Sequence, residues 1–183
     1  MRKVSVWAIL ALLVSHYASG QSLPTRHPLY LRNGIVHPQA NIAVWSGKAL
    51  RTRSEEKRFV IIQFNDIPSE DAKHRLLEGG VELLEYIPEF AYTASLAGSV
   101  SADLLFGNGA VSVVELLPEQ KLQPELLSSE IPAHAQTVPG KVDVRLSYLR
   151  SFSIEEITAK LAEAGVELLS DALNAYQIVE VRV

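Results

Sequence analysis

The sequence predicts an α+β fold in which one unit of strands and a helix is used twice. The sequence GVELL occurs at residues 80–84 and again at residues 165–169. A helical pattern precedes each copy, and an apolar run precedes each helical pattern. Downstream, the first copy reaches Ala91-Tyr92 and the second reaches Ala175-Tyr176. Since similarity at a fixed spacing is typical of repeated structural units, we interpret the chain as two related modules.

The composition is that of a globular protein and narrows the classes of function. Of the 183 residues, 48% are hydrophobic, and the formal net charge is -4. The hydrophobic content is too high for a disordered chain. The small charge does not favour nucleic acid or an anionic membrane as a partner. The chain contains no cysteine, which excludes disulfides and thiolate metal ligands.

Residues 1–20 are predicted to be a secretory signal peptide. Arg2 and Lys3 supply its basic segment, residues 4–14 its apolar segment, and residues 18–20 the small residues before a cleavage site. We expect cleavage after Gly20 and a secreted, extracytoplasmic product that leaves the membrane. A single membrane anchor fits less well, because the apolar run is shorter than the ~20 residues that span a bilayer.

Residues 21–57 are predicted to be an irregular lead-in, because proline and glycine interrupt every regular pattern in it. A short strand is expected at residues 29–32, before an Asn33-Gly34 turn.

Residues 58–118 contain the element order of a ferredoxin-like module. The apolar run at 58–64 predicts a central strand, and residues 66–78 predict a helix with Pro68 in its first turn. Further strands are predicted at 82–87, 91–96 and 110–117, and a second helix at 101–106. The order βαββαβ is that of the ferredoxin-like split βαβ arrangement. Right-handed crossovers then place both helices on one face of a four-stranded antiparallel sheet.

A proline-rich linker at residues 119–140 leads to a second module at residues 141–183. Strands are predicted at 142–147, 167–169 and 176–183, and the capping box Ser153–Glu156 begins the helix. Ile154, Ile157 and Leu161 form the expected buried stripe of this helix. The βαββ copy lacks the second helix and the fourth strand of the first. We therefore expect an exposed strand edge, and a chain that is the front part of a longer precursor or a truncated product.

No histidine lies in a motif for a catalytic base or a metal ligand. We expect solvent-exposed loop positions for His27, His37 and His134, a helix surface for His74 and the signal peptide for His16. The GNG sequence at residues 107–109 resembles a glycine-rich phosphate-binding loop, but it follows a helix instead of preceding one. A turn is therefore predicted there.

Two further groups of residues have the composition of functional sites. The carboxylates of Glu82, Glu85 and Glu89 are expected at solvated positions instead of forming an acid–base pair. The aromatic rings of Tyr86, Phe90 and Tyr92 are expected in the core or on a protein-facing sheet, because the basic residues that accompany stacked bases are missing. We therefore predict no catalytic, cofactor-binding or metal-binding residue, and no enzymatic activity of the chain itself.

The segment at residues 80–92, GVELLEYIPEFAY, resembles the N-terminal prodomain of secreted bacterial subtilisin-family serine peptidases of the fervidolysin-like type. Two further segments are similar to parts of that region: LYLRNG at 29–34 to the segment before the first module, and PEQKLQPEL at 118–126 to its exit. In such precursors a second, more divergent copy follows the first. The resemblance covers about residues 28–183 and depends on the order of these segments.

This resemblance implies a module that helps a subtilisin-type protease domain to fold and blocks its substrate cleft, in cis or in trans. The open face of the sheet would contact the protease. An extended segment, with the linker as one option, would lie in the substrate groove by β-addition. The catalytic segments of the family (Asp followed by Ser/Thr and Gly, His-Gly-Thr, and Gly-Thr-Ser) do not occur in this chain.

Two alternatives remain open at the level of sequence. The chain could be a free-standing secreted inhibitor or chaperone of a protease, or a ferredoxin-like binding module unrelated to proteolysis. Inhibition of a subtilisin in trans would distinguish the first from the second.

Overall fold

A computed structural model describes residues 26–39, 57–128 and 131–183 of the chain. The signal peptide predicted at residues 1–20 and much of the lead-in lie outside these residues. The described part is a mixed α+β structure with four helices and three small antiparallel sheets. The first sheet is a hairpin of β1 (Leu29–Leu31) and β2 (Gly34–Val36).

The second sheet has four strands and belongs to the first predicted module. Its elements are β3 (Arg58–Phe64), α1 (Glu70–Glu78), β4 (Val81–Ile87), β5 (Ala91–Leu96), α2 (Ala102–Gly107) and β6 (Ala110–Val114). The strands lie in the order β4-β5-β3-β6, and every neighbouring pair is antiparallel.

Both helices of this module cover the same face of the sheet. Leu76 of α1 and Leu105 of α2 are fully buried against Val60, Ile62 and Phe64, which alternate along β3. Alternate residues of a strand share a face, so these three side chains point to the helices together. The cluster accounts for the nearly continuous apolar sequence of β3, because the residues between them are buried on the opposite face.

The predicted helix boundaries of this module need correction. Helix α1 begins at Glu70, because the hydroxyl oxygen of Ser69 accepts a hydrogen bond from the Ala72 N–H and so caps the helix. Pro68 therefore precedes the cap and is not in the first turn. The last strand ends at Val114, where residue 117 was predicted.

The hairpin β1–β2 covers part of the sheet face opposite the helices. Leu29 is fully buried there with Ile61 and Ala91, and Leu31 and Val36 pack against this cluster. The lead-in is therefore less irregular than predicted, since residues 29–36 belong to the core of the first module. The expectation that this face is open is wrong for the end of the sheet that the hairpin covers.

The linker has no buried residue along its described length. It contains a short helix α3 (Pro124–Ser128) and 3-10 turns at Pro118–Lys121 and Ala133–Ala135, and none of these three elements has a buried residue.

The second module repeats three strands and one helix. Its elements are β7 (Asp143–Ser147), α4 (Ile154–Glu163), β8 (Glu167–Ser170) and β9 (Ile178–Arg182), with the strand order β7-β9-β8. The predicted capping box is confirmed, because Ser153 Oγ accepts from the Glu156 N–H and Glu156 accepts from the Ser153 N–H. Ile157 and Leu161 are buried and Ile154 packs against them, as the stripe predicted.

The repeat is confirmed at its glycines and corrected at its Ala-Tyr pairs. Gly80 and Gly165 each connect a helix to a strand, with positive φ angles of 84° and 71°. Ala91-Tyr92 begins β5, but Ala175-Tyr176 lies in a 3-10 turn, and Tyr176 is 73% exposed. The difference arises because β8 has 4 residues where β4 has 7, and a longer connection follows it.

The two modules contact each other through residues 148–152. The rings of Phe59 and Phe152 lie 5.2 Å apart, and Lys57 Nζ donates to the Ser151 carbonyl at 3.0 Å. Arg150 donates to the carbonyls of Leu83 and Leu84 on β4. Since Phe59 shares a sheet face with Ile61, the second module touches the same face as the hairpin, at the other end of β3.

Candidate functional site

The turn between β4 and β5 contains two of the three described non-glycine residues that have a positive φ angle. Glu89 and Phe90 are consecutive and have positive φ angles of 71° and 56°. Such angles cost an L-residue about 1–2 kcal/mol each. Strain of this kind persists only where the surrounding structure determines the conformation, and it is concentrated at functional positions.

Gln63 of β3 holds this turn in place. Its side chain is fully buried, and its amide nitrogen donates to the carbonyls of Glu89, at 3.1 Å, and His27, at 3.0 Å. Its amide oxygen accepts from the His27 N–H at 3.3 Å. The Phe64 N–H donates to the Phe90 carbonyl at 2.9 Å. One buried amide thus fixes both the strained turn and the start of the hairpin segment.

His27 lies in a loop, as predicted, but it is only partly exposed to solvent. Its side chain is 39% exposed, and Nδ1 lies 3.6 Å from a carboxylate oxygen of Glu89. Its ring meets the ring of Phe90 edge-on, with centroids 6.3 Å apart. Glu89 is likewise half-buried here and not freely solvated. Sequence reasoning missed Gln63, although it is the only polar residue in the run FVIIQF at 59–64.

The other predicted positions lie apart from this turn. His37, His74 and His134 are exposed, as expected. Among the described residues, no group of three or more His, Cys, Asp or Glu side chains is arranged to hold a metal ion. Gly107 ends α2, and Asn108 and Gly109 form the turn that follows, in which Asn108 donates to the Leu104 carbonyl and accepts from Arg75.

The three aromatic residues do not form one platform. The ring of Tyr92 packs at 5.3 Å from Tyr86 and at 6.2 Å from Phe64, on the helix side of the sheet. Phe90 lies in the turn beside His27. Glu82 and Glu85 are exposed, and Glu85 accepts a hydrogen bond of 2.6 Å from the Thr93 hydroxyl where the register of β4 shifts.

A shallow cleft separates the two modules. Its volume is about 300 Å³, and it is lined by Glu85 of β4 and, from the second module, by Ser147, Tyr148, Leu149, Tyr176 and Gln177. The lining mixes two phenol rings with polar groups and contains one carboxylate.

The outer face of the second sheet is charged. Arg182 contacts Asp143 at 2.6 Å and Glu167 at 3.7 Å, and Arg145 contacts Glu180 at 3.1 Å. Hydrogen bonds from Arg182 and from Thr137 hold the pKa of the Asp143 carboxyl below its usual value. The alternating signs neutralise one another locally, and this face therefore differs from the apolar face that the hairpin covers on the first sheet.

No helix in the described ranges is long and apolar enough to cross a membrane. In comparisons with known proteins, residues 30–117 match the model of a family described as a domain of unknown function (DUF8729). No curated protein and no solved structure matches the chain. The matched range begins in β1 and ends shortly after β6. It therefore takes in the hairpin together with the four-stranded sheet, which the packing of Leu29 against Ile61 and Ala91 also joins.

Proposed function

We propose that the chain is a secreted prodomain-like module of a subtilisin-type serine peptidase, and that it assists folding of the protease domain and inhibits it without being an enzyme itself. The observation that carries the proposal is the first sheet, with the strand order β4-β5-β3-β6 and both helices on one face. We interpret this as a ferredoxin-like βαββαβ module. It supports the expectation drawn from the resemblance at residues 80–92.

The motif of that resemblance has a structural explanation. Ile87 and Ala91 pair across the hairpin and pack in the cluster around Leu29, and Tyr92 packs against the core. These residues support the proposed fold, and a protease-binding surface has to be sought elsewhere.

The linker is the surface that best suits a substrate groove. Leu117, Leu122 and Leu127 are 61%, 42% and 46% exposed, and both ends of the segment are anchored by modules. Most of this segment lies in the 3-10 turn at Pro118–Lys121 and in α3, and it would open to an extended form to add to a strand of a protease groove and place its apolar side chains in pockets. We therefore propose residues 117–128 as the inhibitory segment.

The test is inhibition of a purified subtilisin by the full chain. We expect inhibition, and we expect the double variant Leu122→Asp/Leu127→Asp to weaken it at least about tenfold, because each leucine would lose its burial in the complex. The control is Leu77→Asp, since Leu77 is 56% exposed on α1 and lies outside the linker. Equal weakening by the control would refute the assignment to the linker, and no inhibition by the unmodified chain would refute the proposed function.

One observation favours a binding module unrelated to proteolysis. The sheet face on which a prodomain is expected to meet its protease carries the hairpin at one end and residues 150–152 at the other. A chain that folds cooperatively and leaves several subtilisins uninhibited would support this second function. Inhibition in trans by a chain that functions alone would instead support the free-standing inhibitor.

A further inference from the structure

The outer edge of β7 has no strand beside it among the described residues, and its chemistry is separate from the proposed inhibition of a protease. Main-chain hydrogen bonds join Val142 and Val183 in both directions, and Tyr148 donates to Gln177. Since bonded pairs alternate along an antiparallel ladder, Val144 and Leu146 also point their backbone groups at β9. The N–H and C=O groups of Asp143, Arg145 and Ser147 point the other way, where no described strand lies.

The first module shows what occupies the equivalent edge. Counting from the caps Ser69 and Ser153, Ile61, Ile62 and Gln63 correspond to Arg145, Leu146 and Ser147. In the first sheet, β6 pairs antiparallel with β3 at this edge, with Ile61 opposite Val114 and Gln63 opposite Ser112. In the second sheet β7, β9 and β8 correspond to β3, β5 and β4, and no strand that corresponds to β6 lies among the described residues.

The side chains of β7 define the chemistry of an occupant. Val144 and Leu146 are only half-buried on the helix side, whereas Val179 and Val181 on the central strand are fully buried. Apolar side chains on an added strand would complete this cluster. On the other side, the Arg145 side chain is 70% exposed. A carboxylate on the added strand would lie beside it.

We propose that the edge of β7 binds an extended segment of a partner polypeptide, antiparallel to β7, with a carboxylate opposite Arg145 and apolar residues on either side of it. A second copy of this chain is a poor occupant. The two-fold pairing of β7 with itself that has the greatest overlap sets Arg145 opposite Arg145, and like charges directly opposite are destabilising. The side chain of Arg145, which also contacts Glu180 at 3.1 Å, thus opposes self-pairing in this register and favours a carboxylate on a partner strand.

The probe is a synthetic peptide with the sequence of residues 109–117 that carries the substitutions Val114→Glu and Glu115→Val, so that apolar residues flank the carboxylate, and its binding to the full chain is measured by titration calorimetry. We expect 1:1 binding. We expect a matched peptide with Val114→Lys to bind about tenfold more weakly, because a favourable cross-strand pair is replaced by a repulsive one. Comparable binding of the two peptides would overturn the assigned register.

Two substitutions of the chain test the backbone pairing. Arg145→Pro removes an N–H that β9 does not use, so it should abolish binding while the β7–β9 ladder remains. Arg145→Ala keeps the N–H and should bind both peptides with similar affinity. Far-UV circular dichroism checks that each variant folds.

A second series keeps the chain unmodified and alters the peptide. N-methylation at the position of Val114 should prevent binding, and N-methylation at the position of Val113 should not, because only the former N–H faces β7. Binding that survives both methylations, failure of the unmethylated probe to bind, or a dimer of the full chain that Arg145→Pro dissolves would each refute the proposal.

Discussion

The two repeated glycines allow a matched prediction about stability. Gly80 and Gly165 occupy the same position in the repeat, and both have positive φ angles. Their surroundings differ. A Cβ atom at Gly80 would lie 2.5 Å from the Ala97 carbonyl oxygen, whereas one at Gly165 would meet nothing within 4 Å. The same substitution by alanine therefore tests backbone strain alone in one module, and strain together with a steric clash in the other.

The magnitudes follow from these two terms. For Gly165→Ala we expect a loss of about 1 kcal/mol, because the left-handed conformation costs about 1–2 kcal/mol and the stiffer unfolded chain returns part of it. For Gly80→Ala the clash adds about 1–3 kcal/mol, as in other overpacked sites. The contact is with backbone, and the Ala97 N–H also donates to the Gly80 carbonyl at 2.8 Å, so neither strand can move without weakening this bond.

Hydrogen exchange followed by mass spectrometry separates the two modules in one sample. Amides of β4 and β5 should exchange about a hundredfold faster in Gly80→Ala, and amides of β8 and β9 about fivefold faster in Gly165→Ala. The other module is the internal control in each variant. If both substitutions accelerated amide exchange to a similar extent, the clash at Gly80 would have no effect on stability and the reasoning would be refuted.

Three further predictions concern buried polar groups, charge and capping. Gln63→Leu should lower the free energy of unfolding by about 1–3 kcal/mol, because it leaves the His27 and Glu89 carbonyls without their donor, and a urea titration measures this loss. In the folded state the pKa of Asp143 is lowered from 3.8. Its ion pair with Arg182 therefore stabilises the second module above that pH, and this stabilisation is lost as the pH falls through the lowered pKa. Asp143→Asn should remove this dependence of the urea midpoint on pH. Ser153→Ala should destabilise the second module by about 1 kcal/mol through loss of the helix cap, and Thr158→Ala, on the same helix, is the control.

The identity of neighbouring residues was sufficient to predict a structural feature wherever few other residue types could form that feature. The capping box at Ser153 and Glu156 and the glycines that end the helices were predicted from adjacent residues and are present in the structure. Apolar patterns identified every strand of the two larger sheets, although their boundaries shifted by up to three residues, and β2 was not predicted. Helix α1 begins later than predicted because Pro68 and Ser69 are both signals for the start of a helix. Only the hydrogen bond from the Ala72 N–H to Ser69 shows which of the two marks the start.

Contacts between distant residues could not be predicted in this way. The hairpin at residues 29–36 packs under the first sheet, and Gln63 bonds to His27, 36 residues earlier in the chain. The contact of Lys57 with Ser151 joins residues 94 apart in sequence. No pattern of neighbouring residues indicates which residues far apart in sequence will come into contact. The isolated polar residue in the run at 59–64 was a signal for a buried hydrogen-bonding role, but its partners were not readable.

The sequence by itself determined that the chain has two related modules, where the helix of the second module begins, and that glycine follows a helix at residues 80 and 165. Those features depend on backbone conformation and on hydrogen bonds within a few residues. Only the tertiary structure decided which sheet faces are covered, which turn is strained and which strand edge is free. Those properties depend on how surfaces from separate parts of the chain exclude water together. The apolar character of a residue predicts that it will be buried, but it does not predict which other residues will pack against it.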